Sequence, residues 1–266
     1  MARVRLDDEL VSQGICRDRD EALRLLMAGD VSSGGERLSS PGMKVEPGIE
    51  LHVKGRSRYV GRGGTKLEGA LSALGVDPAG LSCIDIGCST GGFTDCLLKH
   101  GARGVVAVDV GRAQFDWGLR NDPRVTLLER TNVVDVPSMG WRGAFDLAVC
   151  DVSFTGIGNI LPAAMELLAP EGSFLALVKP QFEAPAGDVG EGGVVRDPEV
   201  HRRVLEGVAG LYLEAGLDPV HACASPITGA KGNREFFLLG IRGTLEGGGP
   251  LPEGRARDLL EEAGIR

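Results

Sequence analysis

The sequence predicts an α/β fold: seven strands alternating with helices in a mostly parallel sheet, preceded by a small α+β module. Three observations carry this. Between residues 82 and 241 continuous apolar runs recur between segments of helical apolar spacing, the pattern of strands buried on both faces. The first run, Ser82-Cys-Ile-Asp-Ile, ends in the glycine-rich turn Gly87-Cys-Ser-Thr-Gly-Gly and leads into an amphipathic helix. The second, Val105–Val108, ends at Asp109, 22 residues beyond Gly87. A carboxylate at the tip of the second strand of a doubly wound sheet can hold the two hydroxyls of a nucleoside ribose.

A chain of 266 residues exceeds one average domain and divides naturally into one small and one large unit. Residues 1–55 read as the small module. A helix over Leu6–Gln13 breaks at Gly14, and a second opens at Asp18, an N-cap with a reciprocal Glu21 three residues on. Ala22, Leu23 and Leu26 form its apolar stripe, Gly29 suits its C-terminal cap, and short strands follow, ending in the alternating Ile49, Leu51, Val53. Residues 56–64 read as a basic linker and residues 65–245 as the large domain, whose first helix opens at Thr65 and carries Leu67, Leu71 and Leu74 on one face. Strands are expected near 82–86, 105–108, 125–128, 145–150, 173–178, 218–224 and 235–241, and helices near 91–100, 114–120, 156–169 and 197–215. The last two strands follow each other without a helix, so one is expected to be antiparallel. Residues 246–266 read as a loose connection to a short terminal helix.

Composition excludes some classes. No apolar run approaches the roughly 20 residues needed to cross a bilayer, and the N-terminal stretch lacks the apolar core of a signal peptide, so a cytoplasmic protein with no membrane partner is expected. The six cysteines (16, 83, 88, 96, 150 and 223) form no C-x-x-C pair; they read as reduced structural thiols holding no metal. Net charge is −8, yet residues 1–66 hold 12 Lys and Arg against 10 Asp and Glu, and His52–Lys66 contains Lys54, Arg56, Arg58, Arg62 and Lys66 with no acid. A basic strip of this kind suits phosphate contact and equally suits a solvated linker.

The turn itself selects the cofactor. A pyrophosphate-binding turn has the form G-x-G-x-x-G, whereas here Cys88 follows Gly87 and the next glycines are Gly91 and Gly92; a P-loop fails because no Gly-Lys-Ser/Thr follows. Asp85-x-Gly87-x-x-x-Gly91-Gly92-Phe93-Thr94 resembles the S-adenosyl-L-methionine turn of the FtsJ-type ribose 2′-O-methyltransferases. The resemblance implies a class I (Rossmann-like) seven-stranded methyltransferase and a cofactor held by Asp85, Gly87, Ser89, Thr90, Gly91, Gly92, Phe93, Asp109, Asn132 and Asp151.

Ligands of an open α/β sheet gather at the carboxyl ends of its strands. There Phe145-Asp-Leu-Ala-Val-Cys runs into Asp151, and Phe174-Leu-Ala-Leu-Val runs into Lys179-Pro-Gln-Phe-Glu, while Glu235 opens the last strand and Lys66 lies in the first helix of the domain. Lys66, Asp151, Lys179 and Glu235 match the Lys-Asp-Lys-Glu tetrad of FtsJ-like enzymes. A ribose 2′-hydroxyl is a poor nucleophile, and an amine held out of water beside a second cation can take its proton. The resemblance gives that role to Lys179, with Asp151 orienting it and Lys66 and Glu235 positioning the hydroxyl. Base methylation fits less well: Asp151-Val-Ser-Phe replaces the Asn/Asp-Pro-Pro-Phe/Tyr of exocyclic-amine enzymes, and Cys150, the nearest thiol, lies inside a strand.

The small module, with Arg5-Leu6-Asp7, a Gly break, a charged helix and Ala28-Gly29-Asp30-Val31, is similar to the αL RNA-binding module found in a small-subunit ribosomal protein and in several RNA-modifying enzymes. Fused to an FtsJ-like domain through Tyr59-Val-Gly-Arg-Gly-Gly-Thr-Lys-Leu, with Gly192-Gly-Val-Val-Arg-Asp-Pro after the fifth strand, it resembles the TlyA family over residues 3–242. This implies 2′-O-methylation of cytidine in ribosomal RNA, in the large subunit and in some members the small one, with ribosomal subunits or assembled ribosomes as partners. Arg3, Arg5, Arg17, Arg19, Arg56, Arg58 and Arg62 are the RNA-binding candidates. Two rival readings remain: a ribosome-binding factor without turnover, which a broken tetrad would betray, and a small-molecule O-methyltransferase, which the N-terminal module disfavours. Hemolysin names attached to the family find no membrane segment here.

Overall fold

The computed structural model describes residues 3–13, 15–49, 51–55, 58–112, 114–243 and 251–265. Two compact units divide it, Met1–Arg58 and Tyr59–Arg266.

In the first unit β1 (Val4–Arg5) leads into α1 (Leu6–Ser12) and α2 (Arg19–Ala28), followed by β2 (Val31–Ser33), β3 (Glu36–Leu38), β4 (Lys44–Val45) and β5 (His52–Val53). Strand β1 pairs with β4, and β2 lies between β3 and β5, all antiparallel. The Asp18 carboxylate accepts the Glu21 N–H at 2.8 Å, but Glu21 reaches back to the N–H of Arg17 rather than that of Asp18. The reciprocal cap is thus wider than expected by one residue, and the C-terminal cap is Gly29 at φ 71°. The strand expected to alternate through Ile49, Leu51 and Val53 is shorter, with pairing only at His52–Val53. Leu6, Leu10, Ala22, Leu26 and Val31 form a core of this unit's own.

In the second unit α3 (Arg62–Leu74) is followed by β6 (Ser82–Ile86), α4 (Gly92–Lys99), β7 (Gly104–Asp109), α5 (Trp117–Arg120), β8 (Val125–Glu129) and β9 (Phe145–Cys150). Then come α6 (Leu161–Leu167), β10 (Leu168–Val178), α7 (Pro180–Glu183), α8 (Pro198–Ala215), β11 (Leu217–Ala224), β12 (Phe236–Arg242) and α9 (Glu253–Glu262). The seven-stranded sheet runs in the order β11-β12-β10-β9-β6-β7-β8. Strands β6 to β10 pair in parallel, whereas β12 is antiparallel to both of its neighbours. Successive strand residues alternate faces, and both faces are buried. Ile84, Ile86, Val106, Val108, Phe174, Ala176 and Phe236 pack on the side of α6 and α8. Cys83, Val105, Ala107, Leu147, Leu175, Leu177 and Phe237 pack on the side of α3 and α4.

Two boundaries differ from expectation. Arg62, Gly63 and Gly64, read as the end of the linker, form the first turn of α3. Glycine disfavours helix, but here close packing overrides propensity: a Cβ at Gly64 would lie 2.2 Å from the Tyr59 ring, and one at Gly92 would lie 2.9 Å from the Gly64 nitrogen. The short terminal helix expected in the tail is present as α9, but it packs on the large domain. Leu259, Ala263 and Ile265 are buried in the core beside Phe236, and Glu262 accepts the Ala222 N–H at 3.0 Å from edge strand β11.

Candidate active site

All the chemistry gathers at one edge of the sheet. Parallel strands β6, β7, β9 and β10 end there, and because β12 runs the other way its first residues lie there too: Val178, last in β10, is paired with Phe236, first in β12. The residues just outside these ends, Gly87, Asp109, Asp151, Lys179 and Glu235, therefore share one rim.

A cleft of about 580 Å³ opens at this rim, lined by the turn Gly87–Ser89, by Asp109, Val110 and Gly111, by Asn132–Val134, and by Asp151–Thr155. Gly87 has φ 84°, and a Cβ there would lie 2.8 Å from the Asp151 carbonyl oxygen, so only glycine lets the turn pass this close to the end of β9. Ser89 adopts φ 47°, and its N–H donates to Asp109 Oδ2 at 2.8 Å while Gly111 donates to Oδ1 at 2.6 Å. The carboxylate thus fixes both walls of the cleft where its oxygens face the space between them. Asn132 lines the wall and accepts the Val134 N–H.

Asp85 does not line the cleft. It is fully buried beneath the turn, where Oδ2 accepts the Thr94 N–H (2.9 Å) and hydroxyl (2.6 Å) while Oδ1 has no partner. Burial pushes its carboxyl up to about 7, with the Thr94 hydroxyl working against the rise and the Asp151 charge adding to it. Gly91, Gly92 and Phe93 likewise build the start of α4 rather than the cleft wall: Gly91 has φ 94° with Leu119 and Phe115 where a Cβ would stand, and Phe93 stacks on Phe237 with centroids 6.0 Å apart. Thr90 is exposed beyond the cleft wall, and its carbonyl accepts the Asp116 N–H. Strand spacing locates residues near the turn but does not say which way each side chain faces.

The four tetrad residues form two ion pairs. Lys179, buried at the end of β10, sets its Nζ 2.5 Å from Asp151 Oδ1 and donates also to the Val152 carbonyl (2.8 Å) and Ser153 Oγ (3.0 Å). Lys66 Nζ lies 2.5 Å from Oε2 of Glu235, a carboxylate only 2% exposed. Gln181, two residues past Lys179, donates to Glu235 Oε1 at 3.4 Å. Asp151 alone of the four lines the cleft, which puts a lysine amine immediately behind the cleft wall. Sequence reasoning left Ser153 and Gln181 unassigned, although both lie in the motifs at the strand ends. It also passed over Phe154, which is 92% exposed at the cleft rim with φ 65° and packs on Phe182 at 5.2 Å between centroids.

The arginine candidates separate by partner. Arg5 and Arg19 both pair with the buried Asp7, Arg19 also with Asp8, and Arg17 pairs with Glu21. Arg3 and Arg58 are exposed, Arg62 donates to the Thr228 carbonyl at 3.3 Å, and Arg56 lies outside the described residues. All six cysteines are buried free thiols. Burial pushes the Cys150 thiol up to about 12, so it supplies no thiolate nucleophile for pyrimidine C5 chemistry. Among the described residues no helix is long and apolar enough to cross a membrane, and no cluster of His, Cys, Asp or Glu could hold a metal ion.

The glycine whose missing Cβ brings the turn against β9, the carboxylate facing the cleft from the second strand, and apolar Val110 and Val134 on the walls fit a nucleoside cofactor carrying no phosphate. Sheet order, cleft and rim define an S-adenosylmethionine-dependent methyltransferase. The chain belongs to the FtsJ-like methyltransferase family, whose model matches residues 59–242. It is 45% identical over 262 residues to YqxC of Bacillus subtilis, which carries an rRNA methyltransferase name, covering 97% of this chain and 93% of that one. It is 44% identical over 238 residues to the 16S/23S rRNA (cytidine-2′-O)-methyltransferase TlyA of Mycobacterium tuberculosis, covering 89% of each. A solved structure from Streptococcus thermophilus that carries a hemolysin name superposes with a TM-score of 0.70 at 38% identity, covering 98% of this chain and 96% of that one.

Proposed function

We propose that the protein transfers the methyl group of S-adenosylmethionine to the 2′-hydroxyl of a cytidine in ribosomal RNA, acting on ribosomal subunits or assembled ribosomes in the cytoplasm. The observation that carries this reading is the shared position of Asp151, which lines the cofactor cleft and at the same time holds the Lys179 amine at 2.5 Å. Similarity to rRNA 2′-O-methyltransferases across nearly the whole chain supports the substrate.

When bound, S-adenosylmethionine supplies an electrophilic methyl on a positively charged sulfur. Asp109 would hold the ribose hydroxyls of the cofactor once Ser89 and Gly111 share its oxygens, and Val110 and Val134 would flank its base. Lys179, once the proton it carries in its pair with Asp151 has passed to solvent, would take the proton of the RNA hydroxyl as the neutral amine, while the hydroxyl oxygen bonds to the methyl carbon and the methyl–sulfur bond breaks. Asp151, Ser153 and the Val152 carbonyl fix that amine in one place, so the proton acceptor is positioned before substrate arrives. Lys66 and Glu235, tied to each other and with Glu235 also accepting from Gln181, would position the ribose hydroxyl. An exposed aromatic at the rim, Phe154, suits stacking against an unpaired base. Arg56, Arg58 and Arg62, with Arg3, supply cations for the phosphates; Arg5, Arg17 and Arg19 contribute through their outer faces, since each is engaged by a carboxylate.

The test incubates the protein with methyl-labelled cofactor and intact 30S, 50S and 70S particles, then maps the modified nucleotide. Label on a cytidine 2′-oxygen is expected. Lys179→Ala should lose it by a factor of about 100 to 10,000 while its affinity for cofactor, measured by calorimetry, changes little. Label on a base, or near-normal turnover in the variant, would remove Lys179 and the ribose from the mechanism.

A further inference from the structure

The Lys179 amine is fixed partly by a loop, Asp151–Ile157, that has no regular structure over residues 151–156. All three of its partners, Asp151 Oδ1, the Val152 carbonyl and Ser153 Oγ, belong to that loop, and Phe154 within it sits at φ 65°. A segment in strained, irregular conformation keeps one geometry only if something over-determines it.

Glu183 is placed to do this. It ends the short helix α7, four residues after Lys179, and its Oε1 accepts the Ile157 N–H at 2.9 Å. The carboxylate is tucked under the loop so tightly that a Cβ at Gly156 would lie 3.1 Å from Oε2. Phe182, its neighbour, packs on Phe154, and the Lys179 amine stands 5.9 Å over the Phe182 ring. The contacts therefore close a circuit. Lys179 grips the start of the loop, Glu183 grips its end, Phe182 braces the middle, and α7 joins all three. We infer that Glu183 is a positioning residue, which holds the Asp151–Ile157 loop so that Val152, Ser153 and Phe154 present one fixed surface to Lys179 and to the substrate. The inference rests on the proposed role of Lys179.

Burial pushes the Glu183 carboxyl up, the single N–H from Ile157 working against the rise. A group that is costly to charge and makes one accepting contact acts through its oxygen, not its charge, so an uncharged side chain with an oxygen in the same place should serve as well.

The experiment compares Glu183→Ala, Glu183→Gln and Gly156→Ala with the unaltered full-length protein, measuring kcat, KM for ribosomal particles and calorimetric affinity for S-adenosylmethionine. Glu183→Ala should lower kcat by about tenfold or more and change cofactor affinity less than threefold, because Gly87 and Asp109 stay in place. Glu183→Gln should recover most of the rate. Gly156→Ala, which presses on the same contact from the loop side, should reproduce the kcat loss even if the glutamate variant folds poorly. Equal losses in the alanine and glutamine variants would overturn the inference, and so would an unchanged kcat in both Glu183→Ala and Gly156→Ala. If the unaltered protein methylates no ribose, the proposed function fails instead, and the two failures are distinct.

Discussion

Asp109 and Asp85 are carboxylates on neighbouring strands with opposite surroundings. Asp109 faces the cleft and accepts two backbone N–H groups, from Ser89 and Gly111. Asp109→Ala should weaken cofactor binding through loss of charge-assisted bonds, with excess cofactor restoring much of the rate; calorimetry showing unaltered affinity would mean that the second strand does not hold the ribose. Asp85, its carboxyl pushed from 3.8 up to about 7, keeps a proton in the folded protein that the unfolded chain has already released. The stability it contributes is full below about 3.8 and is lost as pH rises through about 7. Relative to Asp85→Asn, the unaltered protein should therefore lose Tm between pH 5 and pH 8, and a difference that stays constant over that range would exclude the buried proton. Both acids were legible as motif members, but the burial of Asp85 beneath the turn was not. The sequence shows that Asp85 precedes the turn, while the return of Thr94 onto it depends on how α4 packs.

At the scale of elements, the strands were the most readable because burial on both faces forces unbroken apolar runs, and all seven lie where those runs are. What misled was glycine. Gly61, Gly63 and Gly64 look like a linker to any propensity scale, and Gly243 followed by Gly247–Gly249 looks like the start of a tail. In the first case the missing side chains let α3 and α4 approach within backbone contact. In the second, the segment beyond the glycines still packs. Arg234 donates to the Ala263 and Gly264 carbonyls at 3.2 and 2.9 Å, and Arg255 lies 3.7 Å from Asp218. If α9 is part of the core, Leu259→Ala should lower the stability of the catalytic unit by about 2 to 5 kcal/mol, read from urea unfolding. An unaltered midpoint would show that α9 adds nothing to the core.

For the whole molecule, net charge and its distribution point in different directions. The acid excess belongs to residues 67–266, while the stretch around the boundary between the two units has basic residues and no acids. Replacing Arg56, Arg58 and Arg62 together with Ala should raise KM for ribosomal particles and flatten its salt dependence, since each phosphate contact adds up to roughly one to the log-log slope. Cofactor affinity should stay constant. An unaltered slope would show that RNA docks on another surface. Pairing of Arg5, Arg17 and Arg19 with acids of their own module was beyond reach of a charge count, because it depends on which helix faces which.

The reversed strand β12 has a consequence for how the protein is made. Last of the strands in sequence, it is inserted between β10 and β11, and it brings Glu235 to Lys66 across 169 residues of chain. Until a ribosome has released that segment, the growing chain has an unpaired β10 edge, open to association with other strands, and Lys66 lacks its Glu235 partner. Closing so long a loop is also slow relative to local helix formation. A nascent or prematurely ended chain would thus be sticky before it could be active, and methylating capacity would arrive in one step, with the completed molecule.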